Sequence, residues 1–151
     1  MTEDQRLVRV TQDGYALVQV PYKLRTEELC LAAVTQKGEV LQFVPEGCMT
    51  HEICLAAVSQ EGWALRFVDV KYQTPELCIL AVTQEGQTVG HVKKEFLTPG
   101  LCLAAVQEDG YALYHLPKEF KTPELCLLAI TKQPETLQYS PYSILELMSL
   151  I

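Results

Sequence analysis

Threonine recurs in this 151-residue chain at a constant spacing of 24 residues, with no insertion or deletion between repeats. Cysteine follows four positions later in five of the repeats, and glycine follows twelve positions later in five. A fixed period of this length predicts a solenoid, because one such unit is too small to bury its apolar face alone. We number the repeats 1 to 6 by their starts, Thr2, Thr26, Thr50, Thr74, Thr98 and Thr122.

The pattern inside a repeat predicts two short helices. Threonine is expected to cap the first helix with its hydroxyl, and proline follows it in three repeats, where its missing N–H is harmless. An apolar segment such as 29–34 comes next, and the glycine is expected to end the helix as its C′ residue. The second helix, for example 63–68, is shorter and expected to have 3₁₀ character. The predicted fold class is therefore all-α, an α-solenoid of six helix-turn-helix repeats.

The predicted organisation is one repeat domain over residues 1–151, and its first repeat differs from the others in a way that fits an end. Gln5, Arg6 and Arg9 stand where later repeats have Leu, Cys and Ala. These positions share one side of a helix, and a first repeat has no predecessor to pack on that side. We therefore interpret residues 2–25 as an N-terminal cap and expect the array to start there. The other predicted repeats are 26–49, 50–73, 74–97, 98–121 and 122–145.

The C-terminal segment 144–151 is predicted to form a last helix. Ser143 and Glu146 have the spacing of a capping box at its start. The segment is mostly apolar, and Leu150 falls on the cysteine position of the repeat. Three interpretations stay open: a lid helix over the stack, the beginning of a further repeat in a longer array, or a homo-oligomer contact.

The charge balance narrows the classes of partner. Lys and Arg number 12 and Asp and Glu number 19, so the formal net charge is −7. Neither the phosphates of a nucleic acid nor an anionic membrane surface is the expected partner of such a chain. No apolar run approaches the length of a bilayer span, and residues 1–9 do not have the pattern of a secretory leader.

The cysteines recur once per repeat, which is the wrong spacing for cross-links or metal. Neighbouring helices lie about 8–10 Å apart, whereas a disulfide needs Cα atoms within about 4.4–6.8 Å. We expect buried free thiols at Cys30, Cys54, Cys78, Cys102 and Cys126, with Cys48 as a further core residue. No metal or other cofactor is expected. Six free thiols favour a reducing, cytoplasmic location; delivery into a host cell stays open.

No catalytic motif is present, so the chain is expected not to be an enzyme. It contains no Gly-x-Ser-x-Gly, phosphate-binding loop or HExxH sequence. His51 takes a first-turn position that is expected to face solvent. His91 and His115 share a column with aromatic residues, which predicts aromatic packing; a metal held between the two histidines is the open alternative.

Three segments, 74–78, 102–106 and 110–113, read TPELC, CLAAV and GYAL. Together they resemble a repeat family of bacteria and giant viruses called domain of unknown function forty-one-sixteen. The resemblance covers about residues 11–142 and implies a helical repeat array without implying an activity. Since some members occur in intracellular bacteria, a role as a secreted effector is an analogy. Departures from the pattern occur at Gln87, Thr88, Gly90, Gly100 and Pro134.

Two positions of the second helix vary strongly between repeats: the residue directly after the repeat glycine and the residue three positions later. These positions and the residue next to the second of them carry the candidate partner-binding residues. Large aromatic and arginine side chains outside a core are typical anchors of protein interfaces. These residues are Trp63, Arg66, Tyr111, Tyr114 and His115. They indicate a non-enzymatic protein–protein interaction module, although packing of the aromatic residues between repeats would explain them as well. The alternatives are an acidic inhibitor that mimics nucleic acid, and a helical-repeat RNA reader, which the net charge disfavours.

Overall fold

The computed structural model describes residues 1–151 and is built from helices. The α-helices are α1 (Glu3–Gln12), α2 (Glu27–Gln36), α3 (His51–Gln60), α4 (Pro75–Gln84), α5 (Pro99–Glu108), α6 (Ala112–His115), α7 (Pro123–Lys132) and α8 (Ile144–Met148). Six of them have ten residues and open the six repeats. None of the helices has the length and apolar character that crossing a bilayer requires.

The second helix of a repeat is a six-residue 3₁₀ helix, as the sequence predicts. These helices are Gly14–Gln19, Gly38–Phe43, Gly62–Phe67, Gly86–His91 and Pro134–Tyr139. In repeat 5 the short helix α6 takes their place. Repeat 4 keeps the 3₁₀ helix despite its unusual residues.

The structure adds a third helical piece that the sequence analysis did not predict. It is a three-residue 3₁₀ turn between the second helix and the next threonine. The turns are Tyr22–Leu24, Glu46–Cys48, Val70–Tyr72, Lys94–Phe96 and Lys118–Phe120. They follow prolines or other residues with extended backbone, so each turn reverses the chain toward the next repeat.

The threonine caps are confirmed. Thr50 accepts a hydrogen bond from the backbone N–H of Ile53 at 3.2 Å, and Thr98 accepts one from Leu101 at 3.1 Å. The same bond is made at Thr122. Each hydroxyl satisfies a backbone donor that the first helical turn leaves unpaired.

The predicted role of the glycines was wrong. No residue has a positive φ, and the ten-residue helices end in an extended residue before the glycine. Gly14, Gly38 and Gly86 instead begin 3₁₀ helices, and they lie against the next repeat, as does Gly110 before α6. A Cβ on Gly38 would be 2.5 Å from the carbonyl oxygen of Ala57, and one on Gly86 would be 2.3 Å from that of Ala105. Glycine is therefore needed for close approach between backbones and not for a left-handed turn.

The repeats form a helical repeat solenoid, and the chain divides into two compact units, Met1–Leu77 and Cys78–Ile151. In the first unit α1 packs on α2 and α2 on α3. In the second, α5 packs on α7, and α6 lies between the 3₁₀ helices 86–91 and 134–139. The core of both units is built from the same repeat positions, exemplified by Leu29, Cys30, Ala33 and Val34, which are buried. The single repeat domain predicted for residues 1–151 stays a prediction.

The polar face of the first repeat is confirmed. Gln5 and Arg9 are exposed and Arg6 is half-buried. Arg9 donates to the side-chain oxygen of Gln19 at 2.9 Å, and Arg6 donates to the carbonyl of Met1 at 3.0 Å. The two arginines therefore place polar groups, which water also solvates, on this face of α1.

The C-terminal helix begins as predicted but ends earlier. Ser143 caps α8, and both hydrogen bonds of the capping box with Glu146 are present. The helix stops at Met148 instead of reaching residue 151. Leu147 is fully buried and α8 contacts α7, while Leu145 and Leu150 are exposed.

Burial makes the thiols of the cysteine column weak acids. Burial is the main cause that raises the pKa of Cys30 to about 12 and that of Cys54 to about 11. All six cysteines are free thiols in the structure, and only Cys48 is half-buried. It donates a hydrogen bond to the carbonyl of Arg25 at 3.1 Å.

We predict that the native protein reacts slowly with a thiol reagent and the unfolded protein fast. Only the thiolate reacts, and raising a pKa from 9.0 to about 12 lowers its population about a thousandfold. In denaturant at pH 8, titration should count six thiols, whereas the native chain should label first at Cys48. Fewer than six thiols, or stoichiometric zinc by elemental analysis, would contradict this prediction.

Candidate partner-binding surface

Trp63 and Arg66 lie on the 3₁₀ helix Gly62–Phe67 of the first unit. Residues three apart stand above one another on a 3₁₀ helix, so the two side chains share one face. Trp63 is half-buried and Arg66 is exposed. The guanidinium carbon of Arg66 lies 4.5 Å from the ring centroid of Phe67, which holds the cation against an aromatic face.

Tyr111, Tyr114 and His115 belong to the second unit, where α6 and the residue before it position them. Tyr111 is half-buried, and its N–H donates to a carboxylate oxygen of Asp109 at 2.9 Å. Tyr114 points outward with 62% of its surface exposed. Its ring centroid lies 5.0 Å from that of His115 and 5.0 Å from that of Tyr139, both in edge-to-face geometry. We call Tyr114, His115 and Tyr139 the aromatic cluster.

An unusual glycine makes room for the aromatic cluster. A Cβ on Gly90 would lie 2.8 Å from Nδ1 of His115. The other repeats carry larger side chains at the position of Gly90, so the departure from the repeat pattern coincides with the placement of His115. Burial lowers the pKa of His115, and the opposing charge of Asp109 does not compensate. The lowered pKa favours the neutral imidazole.

A hydrogen-bond network under the aromatic cluster links three consecutive repeats. Gln87 donates to Asp109 at 2.6 Å, and Asp109 also accepts from the Tyr111 N–H. Burial alone would raise the pKa of Asp109. The hydrogen bonds from Gln87, Tyr111 and Gln133, with the charge of Lys132, lower it. The carboxylate therefore stays ionised and fixes the start of α6.

Hydrogen bonds between repeats also position the residues at and directly after the repeat glycines. The hydroxyl of Tyr15 donates to the carboxylate of Glu39, its counterpart one repeat later, and this bond raises the pKa of Tyr15. Gln60 accepts from the N–H of Gly38 at 3.0 Å. Gln60 is exposed, so its side chain makes this bond at the surface.

Two basic residues that sequence reasoning missed tie repeats together. Arg25 donates to the carbonyl of Phe43 at 2.7 Å and to that of Val20 at 3.0 Å. Lys121, at the equivalent position, donates to the carbonyl of Tyr139 at 3.1 Å, and burial lowers its pKa. The sequence shows that both cations directly precede a capping threonine. It does not indicate which carbonyl groups they bind, because these lie 18 residues further along the chain.

The predicted site residues thus form two local sets. Trp63 and Arg66 make up the set in the first unit, and Tyr111, Tyr114 and His115 make up the set in the second, joined there by Tyr139. No three His, Cys, Asp or Glu side chains come together as a metal site. His51 is exposed at the start of α3, as expected.

Comparison with known families identifies the repeat. The family model described as Domain of unknown function (DUF4116) matches residues 26–73 and 99–145. Both segments span whole repeats of the solenoid, which is consistent with a tandem repeat family. Neither a curated protein nor a solved structure matches the chain.

Proposed function

Since the chain belongs to the Domain of unknown function (DUF4116) family, whose description assigns no activity, we propose a function from the geometry. The protein is a non-enzymatic interaction module, and its second-helix surface binds a protein partner. The exposed aromatic cluster of the second unit is the observation that carries this proposal. Trp63 and Arg66 provide a further set of contacts in the first unit.

The aromatic cluster has the properties of an interface anchor. Tyr114 is among the most exposed large side chains of the chain, yet His115 and Tyr139 hold its ring from two sides. A ring fixed before binding loses little conformational entropy when a partner covers it. Aromatic residues on a rigid helix therefore offer a large contact area at a small entropic cost.

The acidic inhibitor is the weaker alternative. Carboxylates occur in the first turns of the ten-residue helices. The position two residues after the capping threonine supplies at most one carboxylate per repeat. At a helix spacing of about 8–10 Å, this charge density is far below that of duplex DNA, which has one charge per about 1.7 Å. Mimicry of nucleic acid would need a denser array, so the geometry favours recognition of a protein.

We also propose that the protein works in a reducing, cytoplasmic compartment. Five buried thiols and one half-buried thiol are free. Oxidising compartments favour paired cysteines, so a chain with six free thiols is better suited to a reducing environment. Fractionation of the native cell with an antibody against the chain tests this location.

We expect Tyr114→Ala to weaken partner binding at least tenfold, because truncating an anchor residue costs about 2 kcal/mol or more. The variant should keep its melting temperature, since the Tyr114 ring is mostly exposed. Trp63→Ala should weaken binding in the same way. The measurement is affinity capture from the native cell with the wild-type chain, identification of the captured protein, and titration of the purified pair.

Tyr22→Ala provides a matched control, because Tyr22 is 61% exposed and Tyr114 is 62% exposed. It should bind the partner like the wild type. Unchanged binding by both Tyr114→Ala and Trp63→Ala would reject this surface. A large loss of thermal stability in both variants would show that these residues pack between repeats instead.

A further inference from the structure

The first helices carry a second apolar surface, whose side chains remain partly exposed to solvent. The residue after the cysteine position is leucine or isoleucine in every repeat. Leu55, Ile79 and Leu103 are 43%, 51% and 42% exposed. The column, which we call the leucine stripe, is Leu7, Leu31, Leu55, Ile79, Leu103 and Leu127.

The neighbouring position is apolar too, so the stripe is not a set of isolated residues. It holds Val8, Ala32, Ala56, Leu80, Ala104 and Leu128, all exposed or half-buried. Single exposed leucines are common on protein surfaces and need no explanation. A helix that is apolar on all sides is normally buried in a protein core. A contiguous apolar patch that is exposed instead marks an interaction site.

One face of each first helix except α5, which has Gly100 at this position, combines the stripe with a carboxylate. In α2 this face holds Glu28, Leu31, Ala32 and Thr35, at helical spacings of three, four and seven residues. The hydroxyl of Thr35 donates back to the carbonyl of Leu31 at 2.7 Å, so its donor is already used. In α2 the apolar stripe is therefore bordered by the carboxylate of Glu28 at the N-terminal end and by the satisfied hydroxyl of Thr35 at the other end.

The bordering carboxylates are exposed and pair with no cation of this chain. Asp4, Glu28 and Glu52 lie beside the stripe in the first unit, and Glu124 lies beside it in the second. The ion pairs of the structure join other residues, namely Lys71–Glu46, Lys93–Glu95 and Lys94–Glu119. The row of carboxylates is thus available to an external cation.

A groove between α5 and α7 provides a specific anchor point on this face. Pro99, Leu103, Phe120 and Leu125 line its apolar wall, and Glu124 and Thr122 stand at its edge. Its volume is about 240 Å³. A cavity of about 150 Å³ holds benzene, so the groove can take one large apolar side chain.

We propose that the outer face of α5 and α7, in the second unit, docks a cationic amphipathic helix of a partner protein. One large apolar side chain of that helix enters the groove, the rest of its apolar face covers Leu103 and Leu127, and a lysine or arginine pairs with Glu124. Charge complementarity selects this occupant. A second copy of the chain would add its own carboxylates and a net charge of −7 to the same face.

The spacing of the repeats also fits a helical ligand. First helices that pack about 8–10 Å apart present one stripe residue per repeat. A helix rises 1.5 Å per residue, so it covers this distance in about five to seven residues, close to two turns. A partner helix that crosses α5 and α7 of the second unit can therefore place one apolar side chain on each of their stripe residues. This surface is separate from the aromatic cluster and goes beyond the function proposed above.

The test uses a fluorescein-labelled helical peptide of about 18 residues, with leucines on one face and lysines on the other. A scrambled peptide of the same composition distributes its leucines around the helix. Fluorescence anisotropy measures the affinity of the full chain for both peptides at low and at physiological salt. We expect the amphipathic peptide to bind at least tenfold tighter than the scrambled one.

Variants of the stripe and of its border locate the binding. Leu103→Gln and Leu127→Gln should each weaken peptide binding about fivefold or more, the size of a loss of 1 kcal/mol. Glu124→Gln should weaken it mainly at low salt, because the ion pair is exposed and screened. The matched controls are Leu24→Gln, at a leucine that is 41% exposed, and Glu85→Gln, which removes the same charge; both should bind like wild type.

Three results would overturn the proposal. The first is equal binding of the scrambled peptide, which indicates a charge effect alone. The second is wild-type affinity in both stripe variants. The third is a wild-type dimer in sedimentation equilibrium that Leu103→Gln dissociates, because a second copy then covers the stripe. Circular dichroism of each variant ensures that the compared chains are folded.

Discussion

Gly86→Ala is expected to destabilise the protein by about 3 kcal/mol, the upper end of the range for overpacking. A Cβ at this position would lie 2.3 Å from the carbonyl oxygen of Ala105 and 3.0 Å from the backbone nitrogen of Asp109. Both atoms belong to the backbone of the next repeat and cannot move without separating the repeats. Urea unfolding followed by circular dichroism measures the change.

The direction in which Gly86→Ala changes the free energy of unfolding shows whether close packing between repeats requires the glycine or whether alanine would fit there. Where alanine fits without strain, Gly→Ala stabilises a protein by about 0.4–1 kcal/mol, because the unfolded chain has less freedom. Gly100→Ala is the matched control, since its nearest neighbour is the hydroxyl of Thr98 at 3.9 Å and it lies within α5. It should raise the free energy of unfolding. A stable Gly86→Ala variant would mean that the repeats are less closely packed than described.

The two helices of a repeat could be predicted from the sequence because they depend on nearby residues, whereas the three-residue 3₁₀ turn that follows them was missed. Thr50 caps the helix that starts next to it, and the polar residues Gln5 and Arg9 are exposed as their side-chain chemistry indicates. The six-residue 3₁₀ helices follow from their short length and their flanking residues. All of these features depend on hydrogen bonds or burial within about one repeat.

Contacts between repeats were harder to predict. A recurring glycine shows that a side chain is excluded but does not say whether φ or a neighbour excludes it. The neighbour of Gly38 is Ala57, and the target of Arg25 is the carbonyl of Phe43, 19 and 18 residues away. A periodic pattern gives the number of residues between equivalent positions. It does not tell which non-equivalent residues of neighbouring repeats contact each other.

The candidate site shows the same limit. The sequence identified Tyr114 and His115 as residues outside the core pattern, and the structure places their rings in contact. It could not indicate that Gly90 makes room for His115, or that burial lowers the pKa of the imidazole. The leucine stripe was missed because an apolar residue in an apolar helix looks like core until its exposed surface is known.

Leu77→Ala is expected to cost about 2–5 kcal/mol, the range for truncating a buried leucine. Leu77 is 1% exposed and belongs to an inward-facing column of equivalent residues in the other repeats. Truncation removes buried apolar contacts and leaves a cavity that a backbone of stacked helices cannot close completely. The measurement is the free energy of unfolding from urea titration, checked against thermal unfolding.

Ile79→Ala is the matched control, because Ile79 lies on the same helix but is 51% exposed. We expect it to cost less than 1 kcal/mol, since exposed apolar atoms lose little on truncation. Equal losses at the two positions would mean that the inward face of α4 is assigned wrongly. The expected difference would also show that the apolar side chain of Ile79 contributes little to stability, which leaves the outer face of the first helices free to bind.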